Sequence, residues 1–436
     1  MYALGQLGWS LALFGVANLL TYYYMPPETG TVPLFPNYIY QGAIWGFATV
    51  IGIISFGGRI FDAITDPIIA AMSDRSVSKF GRRRLFMAIA FIPLAILSYL
   101  VFHPITAEPS TLNTVWLCIT IVLFYFFLTL YVTPYTALIS ELGHSSNERL
   151  TISTLLSVTF MLGYIIGTQV YALQDYFAQF MPPDEAFRMV IQGFALVSGV
   201  LMALPIVFVN EAKYCVQYGS QQGTMTALRA VFSNRNFTVF VLADLMYWLS
   251  LTFIQMGVVY YITVLLQQPA SYGSLLLTVM MGLSFLFYYP INVFVKKRGK
   301  KIGVTMAFVG FCMVFTLVYF SNVLPWSPTI IMVLIGLMGS VPLAILSILP
   351  NAIVADIADL DGRETGHYKA GMFFAARAFT TKFGIAAANF LFPSLLLLGK
   401  SVDNNFGVRM TALMAIVFCT IGLVVFLRYE EVVIDA

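Results

Sequence analysis

Residues 59–84 read RIFDAITDPIIAAMSDRSVSKFGRRR. The first part is an apolar run carrying Arg59, Asp62 and Asp66; the second is a basic loop. A charged side chain near a bilayer centre costs roughly 2.5–3.5 kcal/mol even on the mildest scale. At about 100° per residue the three charges fall within roughly 60° of one another, with Thr65 beside them, so they form a stripe. If the helix ends near Ser73, Asp62 lies about 17 Å from that end and Asp66 about 10 Å. Their short side chains must therefore face protein or a water-filled cavity. Two carboxylates with neighbouring oxygens suit a small hard cation or a proton, and a bound ion relieves their mutual repulsion. Asp62 and Asp66, with Thr65, are thus candidate ligands for a metal cation (Na+) or for H+. The competing reading is a structural ion pair of Arg59 with one acid, although one arginine cannot balance two aspartates.

Outward from this stretch the chain is apolar throughout. Of 436 residues 59% are hydrophobic and only 10% charged, the mean hydropathy is +0.86, and a soluble domain carries about 25% charged residues. An all-α polytopic membrane protein is predicted. Twelve apolar runs read as membrane helices: 4–24, 40–72, 84–102, 113–139, 150–175, 187–209, 236–266, 272–295, 302–320, 329–355, 370–397 and 407–428. The first is too long and aromatic for a cleavable signal. The second exceeds one span, so it starts outside the bilayer or tilts.

Basic residues cluster in alternate loops: Arg75, Lys79 and Arg82 to Arg84, then Lys213, Arg229 and Arg235, then Lys296 to Arg298 with Lys300 and Lys301. The opposite loops MPPETGTVPLFPN, HPITAEPSTLN, LQQPASYG and SNVLPWSPT hold no Lys or Arg. The positive-inside rule then places both termini in the cytoplasm, in the cell (inner) membrane. The longest polar connection, 210–235, separates six-helix bundles at 1–209 and 236–436. Each has a basic loop after its second helix, the pattern of parallel repeats in major facilitator transporters.

Other polar residues interrupt apolar runs. Lys382, mid-way along helix eleven, could pair with an anionic substrate, with the helix-two acids when the cation is absent, or with a static partner. Arg377 lies about 140° away on the same helix and is expected at a cytoplasmic gate acid. Asp244 in helix seven reads as a lone buried acid, a second proton or substrate group, or as an acid near enough to the interface to stay wet, with Tyr247, Trp248 and Gln255 nearby as substrate contacts or packing. TYYYMPP at the end of helix one reads as an interfacial tyrosine belt. The four cysteines (Cys215 in a polar loop) and three histidines (His103, His144, His367) show no metal spacing. No phosphate cradle or nucleophile–base pair is present.

YALGQLGWSLA at 2–12, the 59–84 stretch, YVTPYTALISELGHSSNERL at 131–150 and LPNAIVADIADLDGRETGHYKAGMFFAARAFTTKFG at 349–384 resemble one family in order along most of the chain. It is the glycoside–pentoside–hexuronide:cation symporters, the melibiose carrier group of the major facilitator superfamily. The resemblance implies cation coupling and alternating access about a midplane site. It matches Asp62 and Asp66 to the family's cation acids, Thr65 to an asparagine position and Thr129 to a threonine near the cation. Lys382 matches a cavity lysine, and Asp356 and Asp359 match acids ending helix ten. Asp74, Gly81 and Arg82 to Arg84 look like the facilitator loop motif. The expected gating set, with the residues read above included, is Arg59, Asp74, Arg82, Asp356, Asp359 and Arg377. The acids and arginine of the melibiose site are here Ser10, Val132 and Ser157, so Ser10 and Ser157 become the candidate substrate contacts. The same branch includes sodium-coupled lysolipid carriers.

The expected protein is a monomeric secondary transporter with Na+ or H+ as coupling ion, no other cofactor and no nucleic-acid partner. A sugar or glycoside is the first substrate class, a lysolipid or other amphipathic anion the second.

Overall fold

The computed structural model describes residues 1–30, 34–76, 78, 80–142, 146–209, 211, 231–365 and 370–431. Among them run twelve helical rods. They are α1 (Tyr2–Asn18, continued by Leu20–Tyr24), α2 (Val50–Arg75), α3 (Arg82–Leu100) and α4 (Thr111–Leu142). Next come α5 (Ser146–Thr168, continued by Val170–Phe177), α6 (Pro183–Phe208), α7 (Arg235–Tyr260, closed by a π turn Tyr261–Leu265) and α8 (Ser271–Arg298). Last are α9 (Lys300–Phe320), α10 (Pro328–Thr365), α11 (Ala370–Leu396) and α12 (Phe406–Phe426). Nine helices among the described residues are long and apolar enough to cross a membrane. The others are α1, interrupted at Leu19, and the two with charge in their middle, α2 and α11.

Two compact units result, Met1–Gln221 with Pro269–Ser274, and Gln222–Gln268 with Leu275–Ala436. Most of 210–235, including Cys215, lies outside the described residues, as do His144 and His367.

The second apolar run is shorter than the sequence suggests. Residues 40–49 are not helical and α2 starts after Thr49, whose hydroxyl accepts from the Gly52 N–H at 3.1 Å. The tyrosine belt is also corrected. Tyr22, Tyr23 and Tyr24 are buried, because Phe35 and Tyr38 of the loop before α2, with Phe102 and Phe187, pack ring to ring against them. On α2, Ile64, Ile68 and Met72 are exposed while Arg59, Asp62, Thr65 and Ser73 are buried. The apolar face suits lipid and the polar face meets protein.

Positive charge at a helix N-terminus opposes the macrodipole, yet α3 begins with three arginines and α9 with two lysines. Each unit offsets this in the same way. Gly81, at φ +112°, precedes α3, and Glu211 accepts from the backbone N–H groups of Arg83 at 2.9 Å and Arg84 at 3.1 Å. Gly299, at φ +92°, precedes α9, and Glu431 accepts from the N–H groups of Lys300 and Lys301. A Cβ on either glycine would stand 2.5 Å from that glutamate's carboxylate. The first side chains then pair sideways, Arg82 with Glu141 of α4 at 2.6 Å and Lys300 with Asp356 of α10. Glu211→Gln should lower the unfolding midpoint in detergent by several degrees. It weakens charge-assisted bonds worth about 1.5–3 kcal/mol, and each kcal/mol shifts a unit of this size by about 2–4 °C. An unchanged midpoint would remove the clamp.

Candidate functional site

In the first unit α2 and α4 run parallel with a fixed offset. Thr129 donates to Asp62 Oδ1 at 2.7 Å and Thr133 donates to Asp66 Oδ1 at 3.3 Å, both pairs 67 residues apart. One turn of α2 thus faces one turn of α4. The Thr65 hydroxyl lies 3.3 Å from Thr129 Oγ1 and 3.0 Å from the Phe61 carbonyl. Each hydroxyl has a use for its single proton, which leaves its lone pairs available to a ligand. Pro67 has no N–H to offer the Ala63 carbonyl, so a backbone oxygen between the two acids lacks its helical donor. Asp62 is 2% exposed and Asp66 half-buried.

Arg59 is the counter-charge. Its Nη1 stands 3.7 Å from Asp62 Oδ2, its Cζ lies 5.0 Å from the centre of the Tyr125 ring, and its Nε has no hydrogen-bond partner among the described residues. Tyr164 is a further, half-buried neighbour. A tight brace would put two short N–H···O bonds on the carboxylate. Here the shorter contact to Asp62 comes from a hydroxyl, and the arginine is held as much by an aromatic face. The donor set is all oxygen, chemistry for a hard cation or a proton. Arg59, Asp62 and Asp66 together carry one net negative charge, which one monovalent cation balances.

The second unit holds a different cluster. The Arg377 Nε is 2.8 Å from Asp244 Oδ2, its Nη2 is 3.2 Å from Asp244 Oδ1, and its Nη1 donates to Asn351 Oδ1 at 2.6 Å. This corrects two expectations. Asp244 is not a lone acid, and Arg377 turns to α7 and α10 rather than to an acid at the end of α10. Burying Asp244 leaves its carboxylate no other way to meet opposite charge. Tyr247 is buried against Phe311, Trp248 and Gln255 are half-buried, and the Trp248 indole N–H has no partner among the described residues. Lys382 is half-buried on α11.

The remaining expected residues are scattered. Ser10 is fully buried and donates to the Leu7 carbonyl, with Gly163 pressed so close that a Cβ there would sit 2.0 Å from its Oγ. It packs α1 on α5, and its hydroxyl proton is already used within its own helix. Ser157 is exposed and donates to Ser153 of its own helix. Arg82 and Arg83 share Glu141. Asp359 pairs with Arg363 one turn away, on the surface and within one helix. The Asp74 side chain lies outside the described residues. Sequence reasoning missed Tyr125, Thr133, Glu141, Glu211 and Asn351. Of these only Thr133 was reachable, four positions beyond Thr129 on the same helix face.

Comparison with known proteins agrees with this architecture. The chain is 23% identical to an isoprimeverose transporter of Lactiplantibacillus pentosus, over 82% of this chain and 74% of that one. It is 23% identical to the human sodium-dependent lysophosphatidylcholine symporter 1, over 86% of this chain and 75% of that one. Among solved structures the nucleoside transporter NupG superposes with a TM-score of 0.68 at 14% identity, covering 98% of both chains. That likeness bears on fold alone. These relatives are membrane transporters, and the family description MFS/sugar transport protein matches residues 1–429. With the charged stripe, the twelve rods and this match together, the chain belongs to the MFS/sugar transport protein family of the major facilitator superfamily, in agreement with its resemblance to the glycoside–pentoside–hexuronide:cation symporters.

Proposed function

We propose that the protein is a cation-coupled symporter of a sugar or glycoside, driven by Na+ or H+ bound at Asp62 and Asp66. The observation that carries this is the buried Thr129–Asp62 bond of 2.7 Å with the Thr65 hydroxyl 3.3 Å from Thr129. Carboxylates and hydroxyls converge there beside a single loosely paired arginine. One cation per cycle follows from the charge balance. Thr129 and Thr65 orient their lone pairs toward it, and Arg59 keeps the second carboxylate bearable when it leaves. Binding drives transport only to the extent that the cation prefers one state of the carrier over the other. The basic loops support cytoplasmic termini. Asp62, Thr65, Asp66 and Thr129 are assigned to the cation, Lys382 and Trp248 to the substrate, and the protomer is taken to work alone.

The human relative's lysophosphatidylcholine supports a second reading, an amphipathic lipid substrate. Both readings are tested in proteoliposomes with imposed Na+ or H+ gradients, using labelled xylosides, galactosides and lysophosphatidylcholine. Gradient-dependent accumulation of a glycoside is expected. Accumulation of the lysolipid alone selects the second reading, and uptake that ignores both gradients removes the coupling.

A further inference from the structure

We propose that Asp244, Arg377 and Asn351, with Trp248 one turn along α7, form the polar recognition site for the sugar. The inference rests on the sugar reading above and adds to it a location and a selectivity.

Asp244, Trp248 and Gln255 occupy positions i, i+4 and i+11 of α7, within about 40° of one another, so they form one stripe. Arg377 reaches that stripe from α11 and Asn351 joins from α10. A guanidinium has five N–H donors in a fixed fork; Asp244 and Asn351 account for three of them. The carboxylate has about four lone-pair sites, of which Arg377 uses two. The cluster can therefore both donate to and accept from the hydroxyl groups of one ring. Its burial is graded: the Asp244 side chain is 3% exposed, that of Arg377 14%, and Asn351 is exposed. The outer edge is accessible while the charge pair is held in the wall.

Trp248 supplies an independent observation. Its indole N–H is buried with no acceptor among the described residues, which is unfavourable unless a ligand oxygen arrives. The ring itself can take the apolar face of a pyranose. Gly384 lets α11 approach this point, since a Cβ there would lie 3.6 Å from the Trp248 Cβ and 3.1 Å from the Leu245 carbonyl. In the first unit the two serines expected at the substrate already bond to their own helices.

Selectivity follows from charge. Asp244 and Arg377 sum to zero, so a neutral polyol satisfies both partners. A phosphate would meet the Asp244 carboxylate as closely as the guanidinium. The Asp244–Arg377–Asn351 cluster thus favours uncharged glycosides over phosphate-bearing lipids; Lys382, about 140° from Arg377 around α11, points away from this cluster's face and is not counted in it.

A helix brace made of the same residues would behave differently. Replacing both members of a buried ion pair by neutral groups is often tolerated, whereas removing one leaves an uncompensated charge. The test is therefore the double variant Asp244→Asn/Arg377→Gln, with Trp248→Phe alongside, in proteoliposomes with labelled xylosides and galactosides. The double variant is expected to keep its unfolding midpoint and its cation-dependent stabilisation, yet lose glycoside uptake by about a hundredfold. Trp248→Phe, which retains a ring, should raise the KM about tenfold with little change in maximal rate. Wild-type uptake and KM in both variants would overturn the site and leave the sugar reading intact. Failure of the unsubstituted protein to take up any glycoside would instead overturn the sugar reading, and the site with it. If the double variant does not fold, the Trp248→Phe KM decides.

Discussion

Asp62→Asn is expected to abolish cation-driven uptake while the protein still inserts and folds. Asparagine keeps the size of aspartate and a carbonyl oxygen to accept from Thr129, which now donates at 2.7 Å. What disappears is the charge. With Arg59 3.7 Å from this position and Asp66 one turn on, the wild-type group carries one net negative charge; the variant carries none. Two unit charges 4 Å apart interact by about 4 kcal/mol at the effective dielectric of a protein interior. Cation affinity should thus fall about a thousandfold, beyond any concentration that drives transport. Folding should be spared because Arg59 also rests on the Tyr125 ring at 5.0 Å. Two measurements check this: gradient-driven uptake, and the rise of the unfolding midpoint on adding Na+ or acid. Loss of both with an unchanged midpoint in the absence of cation is expected. A variant that still accumulates substrate against a gradient would show that the coupling ion binds elsewhere.

The twelve rods were legible because a bilayer allows the backbone few choices: each span must satisfy its own hydrogen bonds and hide its charges. The same constraint exposed the α2 stripe, since three charges in an apolar run have no inexpensive explanation. What stayed hidden depended on residues far apart in the chain. Asp244 and Arg377 lie 133 positions apart and Asn351 is on a third helix, so each looked solitary. Glu211 and Glu431 sit in polar segments, where nothing local marks them as caps for helices that begin far upstream. The Tyr22–Tyr24 run looked like a membrane-interface belt because loop residues 34–38, which cover it, carry no periodicity to announce that they fold back. Thr133 was readable from spacing once Thr129 was accepted. Tyr125 was not, because an aromatic face beside a buried arginine leaves no trace in a chain with 15% aromatics.

The two adjacent glycines of α2 give the second large effect. Gly57→Ala and Gly58→Ala make the same chemical change one residue apart, and only the second should damage cation binding. A Cβ at Gly57 meets open space. A Cβ at Gly58 would lie 2.5 Å from Ile121 Cγ2 and 2.8 Å from Tyr125 Cδ2, contacts that real Cβ atoms do not make. Gly58 faces Tyr125 with the same offset of 67 positions that pairs Asp62 with Thr129 and Asp66 with Thr133. The glycine therefore sets the approach of α2 to α4 one turn before the oxygens proposed to hold the cation. Tyr125 cannot yield freely, because its face supports Arg59. The helices must separate, and the 2.7 Å Thr129–Asp62 bond lengthens with them. Overpacking of this kind costs about 1–3 kcal/mol, or roughly a fivefold to 150-fold loss in cation affinity at 1.4 kcal/mol per decade. Gly57→Ala gains up to about 1 kcal/mol of helix propensity and keeps wild-type affinity. Titrating the cation-dependent midpoint of both variants separates the two. Equal affinities would mean that helix spacing at Gly58 has no hold on the oxygens one turn away.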